Sequence, residues 1–188
     1  MSQWIDITKP LVSGMPVYSG HEQFHADRLN TVAEHGYNLS RFSMGSHCGT
    51  HMDSPAHFVA DGLTIESAPL DLLIGPALVM TVRPEEDFAA VPDGTTRLIM
   101  RAEFPGLTPA QAQTLFDKGV RLLGTTSMSI APSDNEAQIH KIFLANGAWI
   151  LENVTLDAVE DGAYELVCLP LKLQGLEGAP ARALLRRA

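Results

Sequence analysis

The sequence predicts an α/β fold, a single domain with a mixed β-sheet and few helices, and three observations carry that expectation. Short apolar runs of strand length recur along the chain, two stretches between them carry helix start and stop signals, and no shift in composition divides the 188 residues. Strands are expected at Trp4–Thr8, Leu39–Met44, Ala77–Val82, Arg97–Arg101, Val120–Leu123, Ala148–Leu151, Tyr164–Leu169 and Ala183–Arg187. One helix is expected from Pro109 to Asp117, with Thr108 and Gln111 as a capping pair and Gly119 as its stop. A second runs from about Asp134 to Asn146, with Ser133 and Glu136 as its capping pattern, Ile139 and Phe143 on its apolar stripe, and Gly147 after it. Strand, helix, strand from Arg97 to Leu123, repeated through Leu151, implies a partly parallel sheet. Residues Arg83 to Thr96, rich in acid, proline and glycine, read as a surface connection.

Composition excludes several classes of function. Hydrophobic residues make up 45% and charged residues 19%, the balance of a globular protein. A formal net charge of −9 argues against nucleic acid, because phosphate binding needs clustered Lys and Arg; Arg182, Arg186 and Arg187 read as a solvated edge. No apolar run has the length of a membrane span, and Met-Ser-Gln-Trp-Ile-Asp lacks the basic and apolar regions of a secretory signal. The expectation is a cytoplasmic protein with Cys48 and Cys168 reduced. There is neither a phosphate-binding glycine loop nor a Gly-x-Ser-x-Gly nucleophile elbow.

Chemistry concentrates in residues 47–58, His-Cys-Gly-Thr-His-Met-Asp-Ser-Pro-Ala-His-Phe. His47, His51, Asp53 and His57 share one parity, so an extended chain would aim all four at one face. Imidazole and carboxylate donors together suit a borderline divalent cation such as Zn²⁺ or Mn²⁺. A straight strand would hold the Cα atoms of His47 and His51 roughly 13 Å apart at about 3.3 Å per residue, too far for easy sharing of one ion. The chain is therefore expected to bend near Gly49, with the segment forming a bent strand or strand-to-loop junction. Cys48, of opposite parity, reads as packing behind the site, and Pro55 can redirect the chain before His57. Elsewhere, His140 lies beside the apolar stripe of its helix, where a satisfied, partly buried histidine is an equal reading. Glu152 ends a buried-looking strand and reads as a catalytic carboxylate or as the first exposed position. His21, His25 and His35 read as surface-loop residues without an assigned role, with a place in a pocket wall as the alternative.

The pattern His47-x-Gly-Thr-His51-x-Asp53-x-Pro-x-His57 resembles the signature of the cyclase-like metal-dependent hydrolases, the family of bacterial kynurenine formamidase and isatin hydrolase. Weaker likenesses follow in the family's order: Met15 to Gly20, Glu152-Asn153-Val154, Leu156-Asp157, Leu169 to Leu173 and Gly178 to Arg182. The resemblance implies a fold of the swivelling β/β/α kind and two divalent metal ions, Zn²⁺ or Mn²⁺. One ion would sit on His47, His51 and Asp53, with Asp53 reaching a second held by His140 and Glu152, and Glu152 touching both. It makes His57 the proton-transfer residue and places Tyr18 where an aromatic residue, tryptophan in the kynurenine formamidases, faces the substrate. The chain departs from the pattern there and at Thr125, where many relatives carry aspartate.

The implied activity is hydrolysis of a C–N bond in a small-molecule amide or lactam, an aryl formamide or a cyclic amide such as isatin, by metal-activated water. Lactone hydrolysis, cyclisation or dehydration on the same site is the alternative, and a non-enzymatic metal-binding domain a third reading. Resemblance also implies a homo-oligomer, dimer or tetramer, while charge and apolar run length lead to the expectation of neither a nucleic-acid nor a membrane partner.

Overall fold

The computed structural model describes residues 3–102 and 104–188, leaving Met1, Ser2 and Glu103 outside the description. The strands are β1 (Ile5–Asp6), β2 (His25–Asn30), β3 (Leu39–Ser43), β4 (His51–Asp53), β5 (Ile74–Val82), β6 (Arg97–Ala102), β7 (Leu122–Thr125), β8 (Trp149–Glu152), β9 (Gly162–Pro170) and β10 (Gly178–Arg187). The helices are two single turns, α1 (Val32–His35) and α2 (Leu70–Leu73), and two longer ones, α3 (Pro109–Asp117) and α4 (Glu136–Leu144). The main sheet runs β1-β10-β4-β8-β7-β6-β5-β9, and β9 pairs in turn with β10 from Ala181 to Arg187, so the sheet closes on itself. Pairs β5–β6, β6–β7 and β7–β8 are parallel and the others antiparallel, the mixed sheet expected from the repeated strand-helix-strand order.

Alternation along the strands separates two apolar clusters. Met52, Val79, Ile99, Leu122, Trp149, Leu151, Leu166 and Ala183 pack on one face. Leu98, Met100, Leu123 and Ile150 point the other way, onto α3 and α4, whose Leu115, Ile139, Phe143 and Leu144 are buried against them. Arg97 ties the start of β5 to α2. Its buried guanidinium donates to the carbonyls of Leu72 (2.8 Å), Ile74 (2.9 Å), Pro76 (3.2 Å) and Asp71. The carbonyls of Asp71 and Leu72 belong to the helical turn, whose last acceptors lack backbone donors, and those of Ile74 and Pro76 to the start of β5.

Helix α3 has the predicted bounds and the predicted cap: Thr108 Oγ1 accepts from Gln111 N–H, and Gln111 returns the bond to Thr108 N–H. Helix α4 differs. It starts at Glu136 with Asn135 as N-cap and no side-chain cap, so the pairing expected of Ser133 and Glu136 does not form. Ser133 lies in the turn before it and is exposed, too early to reach the first free amides. The connection from Arg83 to Thr96 is not wholly superficial, because Phe88 and Val91 plug into the helix-side core. Strand β2 was not expected. Paired only with β3, it exposes or half-exposes every side chain and so carries no apolar alternation.

Candidate metal centre

Strands β4 and β8 pair antiparallel, with His51 opposite Glu152 and Asp53 opposite Ile150. The parity that sends Met52 and Leu151 into the core sends His51, Asp53 and Glu152 to the helix-covered face. Helix α4 crosses that face and lowers His140 onto it. His47 reaches the same place from a turn before β4, because Gly49 takes a left-handed φ of 70° and swings the chain round. The bend expected at Gly49 is present, with His47 in the turn rather than on the strand. His57 sits at the end of a single 3₁₀ turn, Pro55–His57, where Pro55 redirects the chain back over the site.

The donor atoms form two overlapping triads, His47–His51–Asp53 and Asp53–His140–Glu152, each with its donors within 4.8 Å of one another. His47 Nδ1 is 2.9 Å from Asp53 Oδ1, and His51 Nε2 is 3.4 Å from both Asp53 Oδ1 and Glu152 Oε2. His140 Nε2 lies 3.4 Å from Glu152 Oε1 and 3.8 Å from Asp53 Oδ2. Ligands on one tetrahedral zinc with bonds of about 2.0–2.1 Å stand roughly 3.3 Å apart, so these spacings fit a cation's coordination sphere. Backbone carbonyls orient two of the rings: His51 Nδ1 donates to Gly49 O and His140 Nδ1 to Glu136 O, each at 2.8 Å, leaving Nε2 of both toward the carboxylates. Glu152 Oε1 accepts from Ile130 N–H at 2.9 Å.

Electrostatics point the same way. Asp53 Oδ2 is buried with no hydrogen-bond partner among the described residues, an expensive condition for a carboxylate that a cation would relieve. Burial alone would lower the His51 pKa, but its hydrogen bonds with Asp53 and Glu152 carry it up to about 10. A proton is thus drawn to the place where the donor set asks for positive charge. Burial opposes ionisation of Glu152, and Asp53 adds repulsion, yet hydrogen bonds from His140 and His51 hold its pKa below the ordinary value. For His57 burial dominates: its pKa falls to about 4, and the ring is neutral near pH 7. That ring stacks on His47 at 4.1 Å and meets Phe58 at 4.4 Å, without a hydrogen bond among the described residues.

A cavity of about 20 Å³ lies among His47, His51, His57, His140 and Glu152, walled by Tyr18, His21, Met128 and Glu136. Tyr18 and Met128 also border an open cavity of about 630 Å³ lined by Lys9, Val17, Ser127, Ser129 and Asn153. Lys9, in the lining of the larger cavity, is fixed by bonds from its Nζ to Asn153 Oδ1 and to Thr126 O at 3.5 Å. All seven candidates, Tyr18, His47, His51, Asp53, His57, His140 and Glu152, therefore meet in one place. Sequence reading did not assign His21, which lies 5.8 Å from the His47 ring, or Glu177, whose Oε1 is 3.3 Å from His47 Nε2. Neither carried a local signal, since both arrive by tertiary contact. His25 and His35 stay exposed, on or beside the β2–β3 hairpin.

A helix-covered sheet face bearing two donor triads that share a carboxylate defines an α/β protein with a His/Asp/Glu cluster able to hold metal. The chain belongs to the cyclase family: the family model described as "Putative cyclase" matches residues 5–103. Kynurenine formamidase of Bacillus cereus is 35% identical, with 98% of each chain covered. A solved structure described as a potential metal-dependent hydrolase with cyclase activity is 31% identical, with a TM-score of 0.83 and 98% of each chain covered. Isatin hydrolase A from Labrenzia aggregata shares the fold at 20% identity, with a TM-score of 0.83 over 98% of this chain and 93% of that one. The mixed α/β fold expected from sequence is thus also the fold of these neighbours.

Proposed function

We propose that the protein is a metal-dependent hydrolase that cleaves the C–N bond of a small aryl formamide or cyclic amide. The observation that carries the reading is Asp53, central to both donor triads, with one oxygen buried and partnerless. Its relatives add support: one is named a kynurenine formamidase and one is described as a potential metal-dependent hydrolase. In this reading His47, His51 and Asp53 would hold one divalent ion, Zn²⁺ or Mn²⁺, and Asp53, His140 and Glu152 would hold a second. When bound, such ions polarise a carbonyl and lower the pKa of water toward about 7.

His57 does the proton work. Neutral near pH 7, its ring accepts a proton from the attacking water and returns it to the nitrogen as the C–N bond breaks. Tyr18 forms the wall between the donor cluster and the larger cavity, whose volume suits a small-molecule substrate. Tyr18 is thereby placed to contact the aryl part. The chain acts as one domain, 1–188, in the cytoplasm as a dimer or tetramer. Among the described residues no helix is long and apolar enough to cross a membrane.

The test pairs elemental analysis of protein purified without chelator with a substrate panel of aryl formamides, isatin-type lactams and lactones. Divalent metal together with turnover of a formamide or lactam, lost on chelation and restored by Zn²⁺ or Mn²⁺, is the expected result. Turnover confined to lactones would reassign the reaction to C–O bonds, and chelator-insensitive turnover would remove the metal from the mechanism.

A further inference from the structure

We propose that Glu177 is a positioning residue that fixes the His47 ring so that Nδ1 is the atom presented to the cation. The inference rests on the cluster being a metal centre, and three observations carry it.

Glu177 Oε1 accepts from His47 Nε2 at 3.3 Å and from Ser46 Oγ at 2.5 Å. The Glu177 carbonyl accepts from both the amide and the hydroxyl of Ser54, each at 2.9 Å. One residue is thus bonded to both ends of the segment from Ser46 to Ser54 that carries the first triad. The His47 ring also lies against bare backbone. A Cβ on Gly178 would come within 2.8 Å of His47 Cε1, and Gly178 pairs in register with Asp53. With His57 stacked on it at 4.1 Å, the imidazole has little freedom except to rotate about its own axis.

The third observation is an asymmetry. His51 and His140 are each oriented by a carbonyl at Nδ1 and present Nε2. His47 runs the other way round, with Nε2 toward Glu177 and Nδ1 2.9 Å from Asp53. Nδ1 can ligate only when it carries no proton, so the orientation Glu177 imposes matters for binding. An acceptor behind an imidazole fixes its tautomer and makes it a stronger ligand.

The test uses the full chain as Glu177→Ala and Glu177→Gln, with Ser46→Ala as a control that leaves the Glu177–His47 contact in place. Zinc affinity, measured by competition with a chromogenic chelator, is expected to fall about 10–100-fold in E177A. It should be largely kept in E177Q, whose amide oxygen can still accept from Nε2–H, and should fall less in S46A than in E177A, because that change removes one bond to Glu177 Oε1 but leaves its contact with His47. Ring-nitrogen NMR of the zinc-loaded protein should find Nδ1 of His47 bound and the proton on Nε2 in wild type, and both ring orientations in E177A. Wild-type zinc affinity in folded E177A, or a His47 proton on Nδ1 in zinc-loaded wild type, would overturn the proposal. If E177A fails to fold, E177Q and the wild-type spectrum decide. A wild type that takes up no metal would sink the metal-centre reading itself, an outcome distinct from wild-type zinc affinity in E177A.

Discussion

Strands β4 and β8 show two environments one residue apart. Met52 and Leu151 lie on one face, wholly buried among Trp149, Leu122 and Leu166. His51 and Glu152, their immediate neighbours, lie on the other face in a cluster of imidazoles and carboxylates. Both faces are buried, but they differ in what burial does. On the core face it stabilises, at roughly 25 cal/mol per Å² of apolar surface. On the site face it costs, and the cost is offset only where each polar atom has a partner. Asp53 Oδ2 has none, and that is where the fold leaves a demand for a cation. A register slip of one residue would exchange the two faces, so the apolar core also keeps the ligands in place.

The sharpest way to break the comparison is Asp53→Ala. It removes the carboxylate shared by both triads, and metal affinity should fall by more than the roughly 10–100-fold typical of an outer-shell partner, with turnover lost. Elemental analysis checks it; retention of the wild-type metal content would show that the triads do not work as one site. His57→Gln should separate holding from reacting. Turnover is expected to drop about 10²–10⁴-fold while bound metal stays at the wild-type level. Parallel loss of metal would make His57 a ligand.

Leu151→Ala probes the other face, and there the effect should be on stability. A cost of about 2–5 kcal/mol is expected from denaturant unfolding, with metal content per folded chain preserved. A folded variant that released metal would show that the core face sets the ligand geometry more tightly than proposed. Cys168 gives the smallest effect. Burial pushes its thiol from 9.0 up to about 12. Since the folded form holds the proton more tightly, the thiol's contribution is complete below pH 9.0 and is lost as pH rises toward about 12. Wild type should therefore lose more stability than Cys168→Ala between neutral and alkaline pH, as equal melts of the two proteins at both pH values would contradict.

What the sequence made legible follows from how local each signal is. The α3 cap is written within four residues, Thr108 to Gln111, and it forms as read. The bend at Gly49 was equally local, since only a turn could reconcile His47 with His51. His140 and Glu152 were ambiguous in sequence, because a helix and a strand end do not say which side-chain face meets β4. Their place beside Asp53 is a tertiary outcome. Glu177 shows the limit most clearly. It lies 130 positions after His47 along the chain and is brought back by the pairing of β10 with β4. Strand β10 itself begins at Gly178, earlier than the Ala183 start suggested by its sequence, because Pro180 and small residues hide its first half. The exposed β2 strand left no periodicity to read.

Arg97 has a consequence for how the protein responds to salt. Its guanidinium is buried and bonded to four carbonyl oxygens, and among the described residues no carboxylate pairs with it. It is caged by neutral dipoles, much as a crown ether holds an ammonium ion. Mobile ions weaken attraction between solvent-exposed charges, the more so as added salt shortens the Debye length below about 8–10 Å, but they have little purchase on a charge held this way. The anchor between α2 and β5 should therefore persist at ionic strengths that dissolve surface pairs such as Arg182–Asp6, leaving that corner of the sheet indifferent to salt.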